Sequence, residues 1–414
     1  MGRLPERIPV AIVGGGQAGL TMSRRLLDHG VEHVVLERSH AFHSWREERW
    51  DAFTLVTPNF QCRLPGYPYA GPEPDGFMVK SEILDYLGGF RASFPCPLFE
   101  GVEVLRLSWS QDAFVLRTSA GPLRAEQVVL AVGGYHRPWA PRWDVPESVV
   151  QRHSSSYRCA AQLPPGAVLV VGTGQSGAQI AEDLHLAGRH VHLCVGDAPR
   201  CARVYRGRDV VRWLQDMGHY DLAFEDHPDG NLARREANHY VTGRDGGRDL
   251  DLRAFAREGM ILHGRLRGIE DGVAAFADDL RERLDRADAT YNRINAGIDR
   301  WIAEQDIATG EGPSVYRPVW QPGHGAPRPL ALREAEVSAI VWCTGFRPDW
   351  SWVQVPFLDD DGDPDHDRGV ARRTPGLHVL GLPWLHTWGS GRFAGIDRDA
   401  LHLAEQIVTA VMAR

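Results

Sequence analysis

The sequence predicts an α/β protein built from two Rossmann-like dinucleotide-binding domains. Three observations predict it. The pattern Gly-x-Gly-x-x-Gly occurs at Gly14, Gly16 and Gly19 and again at Gly172, Gly174 and Gly177. Each copy follows a short apolar run and opens a helical stretch, the context in which glycine lets a pyrophosphate reach N–H groups at a helix N-terminus. Only two copies occur, far apart, so they mark two nucleotide-binding halves rather than a repeat array.

The first unit reads as strand Pro9 to Val13, the turn Gly14-Gly15-Gly16-Gln17-Ala18-Gly19, and a helix through Leu20, Leu26 and Leu27 that Gly30 ends. A strand from His33 to Leu36 closes on Glu37. The second unit repeats the order: strand Ala167 to Val171, turn Gly172-Thr173-Gly174-Gln175-Ser176-Gly177, helix through Ile180 and Leu184 to Gly188, strand Val191 to Val195. Two apolar runs ending in glycine, Val128 to Gly134 and Ala339 to Gly345, read as further buried strands. A strand from Leu377 to Leu382 leads through a loop rich in Gly and Trp to a helix at about 400–412.

In the middle, Leu280, Leu284, Ala287, Tyr291, Ile294, Ile298 and Trp301 alternate spacings of four and three, an amphipathic stripe. It reads first as a helix packed on its own domain, and second as the seam of a homodimer. The domains follow as 1–165 plus 325–414 and, between them, 166–324 with a helical region around 272–305. The aspartate run from Asp359 to Asp367 reads as a solvated turn, since Gly362 is not at the sixth position of a calcium loop.

The chain has 414 residues, enough for two or three cores. Its net charge of −8 argues against nucleic-acid or anionic-membrane partners, which select basic surfaces. Six cysteines are scattered with no C-x-x-C spacing, which speaks against a zinc ribbon or a redox dithiol and suits a reducing cytosol. No apolar stretch reaches the ~18 residues of a membrane span, and no apolar leader precedes the first strand, so a cytoplasmic protein is expected.

The ends of the second strands separate the two sites. Glu37 falls 23 residues after Gly14, where a carboxylate accepts hydrogen bonds from a ribose diol, so the first site suits FAD. The same offset from Gly172 reaches Val195, with no carboxylate. Arg200, Arg203, Arg206 and Arg208 follow, with Arg200 and Arg206 the first choices for a 2′-phosphate, so the second site suits NADPH over NADH. Asp197 and Asp209 dilute that charge, and a merely solvating role for some of these arginines is the alternative. Gly395, Ile396 and Asp397 open the last helix, whose N-terminus is placed against the N1–C2=O edge of the flavin. Two dinucleotides in one chain imply hydride transfer from NADPH to FAD.

The chain resembles the class B flavoprotein monooxygenases. The resemblance runs through the first turn, His43-Ser44-Trp45-Arg46, Trp50-Asp51-Ala52-Phe53, Leu64-Pro65-Gly66-Tyr67-Pro68, Ala131-Val132-Gly133, the second turn, Tyr205-Arg206-Gly207-Arg208-Asp209 and Cys343-Thr344-Gly345-Phe346. The family fingerprint F-x-G-x-x-x-H-[ST]-x-x-[YFW] survives in its second half as His153, Ser154 and Tyr157, with Glu147 and Val149 in place of Phe and Gly.

The resemblance implies a glutathione-reductase-like arrangement, with a discontinuous FAD domain and an inserted NADPH domain. It implies that Gly14, Gly16, Gln17, Ala18, Gly19, Glu37, Arg38, Trp45, Val104, Gly133 and Asp397 hold FAD, with Val104 using its backbone against the adenine. Gly172, Gly174, Gln175, Ser176 and Gly177 of the second turn, with the arginines, would meet NADPH, and Thr344 and Gly345 are further cofactor-binding candidates. Asn59, in Thr57-Pro58-Asn59, is the catalytic candidate beside the flavin. The implied reaction is reduction of FAD by NADPH, addition of O₂ at flavin C4a and transfer of oxygen to a small organic substrate, with N- or S-oxygenation favoured over Baeyer–Villiger chemistry. Trp45, Trp50, Trp384 and Trp388 are the aromatic residues placed around the pocket. The alternatives are a flavin reductase or oxidase without oxygen insertion and a non-enzymatic redox sensor.

Overall fold

The computed structural model describes residues 3–228, 230 and 237–412. The chain begins with β1 (Arg7–Val13), α1 (Gln17–Asp28) and β2 (His33–Glu37), followed by β3 (Leu98–Glu100), β4 (Val104–Ser110), β5 (Ala113–Thr118) and β6 (Gly121–Leu130). It continues with β7 (Val150–His153), β8 (Ala167–Val171), α2 (Gln175–Leu186), β9 (Val191–Cys194), β10 (Ile261–His263), α3 (Leu280–Glu304) and β11 (Val337–Trp342). The short strands β12 (His366–Asp367), β13 (Val370–Ala371) and β14 (Leu377–Val379) precede α4 (Ile396–Met412).

Two sheets organise these elements. The first has the order β12-β13-β14-β6-β1-β2-β3, with β4 and β5 joined to β6 as an antiparallel meander. Its central strands run parallel, and the stretches 10–13, 34–36 and 128–130 are apolar and buried, as strands covered on both faces must be. On one face α1 and α4 lie side by side, burying Leu20, Leu26, Ile396, Leu403 and Ile407 against Val10, Ile12 and Val35. The opposite face buries Ala11, Val13, Leu36 and Leu116 with Trp350 and Phe357.

The second sheet has the order β7-β11-β8-β9-β10, all parallel. Its membership corrects the expected boundaries. Val150–His153 and Val337–Trp342 both belong here, so the second domain reaches outward on each side of 166–324. An apolar strand carries no mark of which sheet it joins. The helical region placed around 272–305 divides in the same way, with Val273–Phe276 a strand of a small antiparallel sheet and the helix confined to Leu280–Glu304. The last helix begins at Ile396 rather than near 400.

The stripe on α3 faces its own domain. Tyr291, Ile298 and Ile302 are buried against Ala202, Tyr205, Val210 and Trp213. In the aspartate run, the Asp359 carboxylate accepts from the N–H groups of Asp361 and Asp363, each at 3.0 Å, a local turn lock. Among the described residues no helix is long and apolar enough to cross a membrane.

Ile298 is 0% exposed, so Ile298→Ala should lower unfolding free energy by about 2–5 kcal/mol in denaturant titrations. Because the stripe is covered from within, light scattering should show an unchanged oligomeric state.

Candidate active site

The two glycine turns share one construction. Gly14 has φ +111°, and a Cβ there would lie 2.4 Å from the Ala131 carbonyl oxygen at the end of β6. Gly172 has φ +102°, and its Cβ would lie 2.7 Å from the Cys343 carbonyl oxygen at the end of β11. At the third glycine the approach is closer still: a Cβ on Gly19 would stand 1.8 Å from Gly14 O, and one on Gly177 would stand 1.9 Å from Gly172 O. Only glycine lets the helix N-terminus come this near the strand end. The middle glycines differ. Around Gly16 and Gly174 a Cβ would meet nothing within 4 Å. That open space at a helix N-terminus is where a pyrophosphate fits, so both turns suit a dinucleotide.

The strand ends then part company. The pairing Val13↔Leu36 carries Glu37 alongside the first turn. Its Oε2 accepts from Gly15 N–H at 2.7 Å and its Oε1 from Ser39 N–H at 2.9 Å. Each oxygen keeps a second lone pair for a ribose hydroxyl. In the second unit Val171↔Cys194 puts Val195 in the corresponding place. There the polarity reverses, and the turn hydroxyl Thr173 Oγ1 accepts from Gly196 N–H at 2.9 Å. Two residues beyond Val195, Asp197 is ringed by Arg265, Arg283 and, at 3.5 Å, Arg286.

A cavity of about 910 Å³ runs from the first turn into the second domain. Gly14, Gly16, Gln17, Ala18, Glu37 and Arg38 line its first end, with Val104 at the start of β4 and Gly133 (φ +69°) after β6. Gln17 crosses this region: its Nε2 donates to Gly391 O at 3.0 Å and its Oε1 accepts from Trp45 Nε1 at 2.9 Å. The matching residue of the second turn, Gln175, also lines the cavity and donates to Val241 O at 2.5 Å. Trp45, Trp384 and Trp388 supply aromatic wall, whereas Trp50 is buried in the core of the second domain.

Gly172, Gly174, Ser176 and Gly177 form the second turn but are not on this cavity's wall. Thr344 and Gly345 join the domains instead of lining it. Thr344 Oγ1 donates to Trp139 O, and Gly345 O accepts from Trp139 N–H at 3.0 Å.

Four of the expected side chains are engaged elsewhere. Arg200 is 2% exposed, lies 3.1 Å from Asp251 and 3.5 Å from Asp288, and packs against both the Tyr291 and Tyr316 rings. Arg206 binds Asp299 at 2.9 Å, Glu311 O at 2.8 Å and Thr309 Oγ1 at 2.6 Å. Both guanidinium groups are neutralised within the fold, which removes them as first choices for a 2′-phosphate. Asn59 is buried off the cavity, its amide donating to Glu73 O at 2.9 Å and accepting from Met78 N–H at 2.8 Å; it holds its own loop rather than a flavin. The Asp397 carboxylate takes a bidentate pair from Arg25 at 2.6 and 2.7 Å, and the cavity is lined by Gly391, Arg392 and Phe393 just before α4 instead.

The sequence reading did not single out Arg49, Tyr220, Asn238, His239 and Arg392, all on the cavity wall. Burial lowers His239 to about 4 and Arg392 to about 10. The imidazole is therefore neutral at pH 7, while the guanidinium stays charged.

One dinucleotide cradle with a carboxylate at its strand end, a second without one, and a cavity reaching between them define a flavoprotein oxidoreductase that uses FAD and NADPH. Residues 11–218 match the pyridine nucleotide-disulphide oxidoreductase family, and the chain belongs to that family. An uncharacterized CzcO-like oxidoreductase of Geobacillus kaustophilus is 28% identical, with 97% of this chain and 98% of that protein covered. The indole-3-pyruvate monooxygenase YUCCA6 of Arabidopsis thaliana is 29% identical over 47% of this chain and 50% of its own length. A flavin-containing monooxygenase from Stenotrophomonas maltophilia has the same fold, with a TM-score of 0.67 at 20% identity, covering 98% of this chain and 100% of that one.

Arg200 separates a structural from a cofactor role. Arg200→Met leaves Asp251 without its cation and Asp288 with Arg253 alone, and should cost about 3–5 kcal/mol of stability in denaturant unfolding. The Michaelis constant for NADPH should stay within about two-fold of wild type when measured on folded protein, since a two-fold change is only ~0.4 kcal/mol.

Proposed function

We propose that the protein is an NADPH-dependent FAD monooxygenase that oxygenates a small organic substrate, at nitrogen or sulfur in preference to a Baeyer–Villiger insertion. The observation that carries this reading is the cavity: it joins the first cradle to Gln175 of the second and is walled by Trp45, Trp384 and Trp388. When bound, FAD supplies hydride acceptance and oxygen activation. The chain supplies the rest. Gly14 and Gly19 allow the close strand–helix approach, the first N–H groups of α1 beside Gly16 serve the pyrophosphate, and Glu37 holds the adenosine ribose. Val104 and Arg38 border the adenosine end. Gln17 ties Trp45 to the Gly391 loop, so the aromatic wall and the first turn are set by one side chain. The tryptophans exclude water from the space where oxygen is transferred.

Dithiol chemistry is disfavoured by the cysteines themselves. All six are free, and Cys201, which lines the cavity, has its thiol pushed up to about 12 by burial. A lone protonated thiol is a poor nucleophile. The YUCCA relative, named as a monooxygenase, supports oxygen insertion.

Gly174, Gln175, Ser176 and Gly177 hold NADPH in this reading, and the 2′-phosphate falls to Arg265, Arg283 and Arg286. These cations surround Asp197 beside the strand end that lacks a carboxylate; Arg265 pairs with Asp197 alone, while Arg283 also pairs with Asp279 and Arg286 with Glu282. Arg265 and Arg286 are half-exposed, so they have room to accept a phosphate.

Arg265→Ala and Arg286→Ala should each raise the Michaelis constant for NADPH about ten-fold, the ~1.4 kcal/mol of one charged contact, and leave that for NADH nearly unchanged. Equal effects on both nucleotides would remove the phosphate role. Oxygen insertion is tested by aerobic turnover under ¹⁸O₂ across amines, sulfides and ketones. The reading requires labelled product in step with NADPH consumption. Stoichiometric H₂O₂ with every substrate would leave an oxidase.

A further inference from the structure

The cavity holds a positive charge that neither dinucleotide cradle uses. Arg392 stands in the loop before α4, half-buried in the wall. Its Nη2 donates to Asn238 Oδ1 at 2.7 Å, and its Nη1 donates to the Trp388 carbonyl. The guanidinium carbon lies 3.4 Å from the centroid of the Trp388 ring, and Tyr220 packs on the same indole at 4.6 Å. Among the described residues no carboxylate reaches Arg392 within 4.0 Å.

The contrast is with the three fully buried arginines; Arg49, half-buried on the same wall over the Trp45 ring, also lacks a carboxylate partner among the described residues. The buried arginines each carry a carboxylate: Arg200 has Asp251 and Asp288, Arg203 has Asp209, and Arg253 has Asp285 and Asp288. A cation drawn out of water without a counter-ion is costly, and the cost shows here as a guanidinium lowered to about 10 by burial. Binding an anion would relieve it.

The identity of the anion follows from the surroundings. The diphosphates of both dinucleotides have donors of their own at the helix N-termini of α1 and α2. Arg392 belongs to neither turn. It sits between Trp388 and the Asn238 amide, facing space walled by Trp384 and Tyr220. A guanidinium beside an amide offers a fork of N–H donors that matches a carboxylate. Trp384 and Tyr220 make the neighbouring cavity wall aromatic and apolar for the remainder of the ligand. We propose that Arg392, with Asn238 at its side, receives the carboxylate of a small aromatic acid, which makes aromatic carboxylates the substrate class. The assignment rests on the monooxygenase reading for the word substrate only, because binding of the acid does not depend on oxygen transfer.

The test is an equilibrium titration of the oxidised FAD-loaded enzyme, followed by the visible flavin band. Phenylacetate is the acidic probe and phenylacetamide its neutral counterpart. Phenylacetate should bind at least about ten-fold tighter, the ~1.4 kcal/mol that one charge-assisted contact supplies. Arg392→Gln should abolish that preference, Arg392→Lys should restore part of it, and the Michaelis constant for NADPH should stay within two-fold in both. Equal binding of acid and amide by the wild-type enzyme overturns the proposal without recourse to any variant. A large rise in the Michaelis constant for NADPH in Arg392→Gln, with phenylacetate binding intact, overturns it by placing Arg392 on the nucleotide. Either result leaves the ¹⁸O₂ experiment unaffected, so failure here and failure of oxygen insertion are told apart.

Discussion

The site depends on a close approach of backbone to backbone at the end of each central strand. The Cα of Gly19 points at the carbonyl of Gly14, and that of Gly177 points at the carbonyl of Gly172, with no room for a methyl group at either. This contact sets the start of α1 and α2 directly over the strand that precedes each. It follows that the first N–H groups of each helix face an open space at the middle glycine. Sheet order and strand register serve this geometry: β6 and β11 bring up the Ala131 and Cys343 carbonyls that demand positive φ at Gly14 and Gly172.

From that shared frame the two cradles acquire opposite characters through a single exchange. At the first, the strand end supplies a carboxylate and the turn supplies the N–H groups that steady it. At the second, the turn supplies a hydroxyl and the strand end supplies the N–H. The strand ends therefore differ in charge, with a carboxylate at one and none at the other. The exchange leaves the pyrophosphate seats equivalent, which is why one fold holds two nucleotides for one hydride transfer.

This part of the molecule is legible in the sequence because its determinants are close along the chain. Glycine spacing and the Glu37 offset lie within one β-turn-α-β unit, and the α3 stripe shows its period directly. The failures share the opposite property. Arg200 and Arg206 follow the second unit just where a phosphate ligand belongs, but Asp251, Asp288 and Asp299 reach them from distant segments. Asn59 sits after a proline in a loop that turns its amide inward to Glu73 and Met78. Asp397 lies one residue into α4, and its charge is claimed by Arg25 on α1 because the two helices lie side by side. The boundary near 165 failed because β7 pairs with β11, nearly two hundred residues on in sequence, a pairing that apolar composition does not announce.

Charge balance after folding separates these cases better than motif position does. An arginine near a nucleotide turn is a candidate ligand only if the fold leaves it uncompensated. Arg200 fails that condition and becomes a strut between α3 and the loop that follows β9. The Asp197 group meets it in part, since Arg265 pairs with Asp197 alone while Arg283 is shared with Asp279 and Arg286 with Glu282. Arg392 meets it fully among the described residues, and it does so on the wall of the cavity, between the Trp388 ring and the Asn238 amide. The cradles fix which cofactors enter; the residual charge beside them bears on what else is held there. Loops of both domains build that second feature, with Asn238 from one and Arg392 from the other, so it arises only when the domains are assembled.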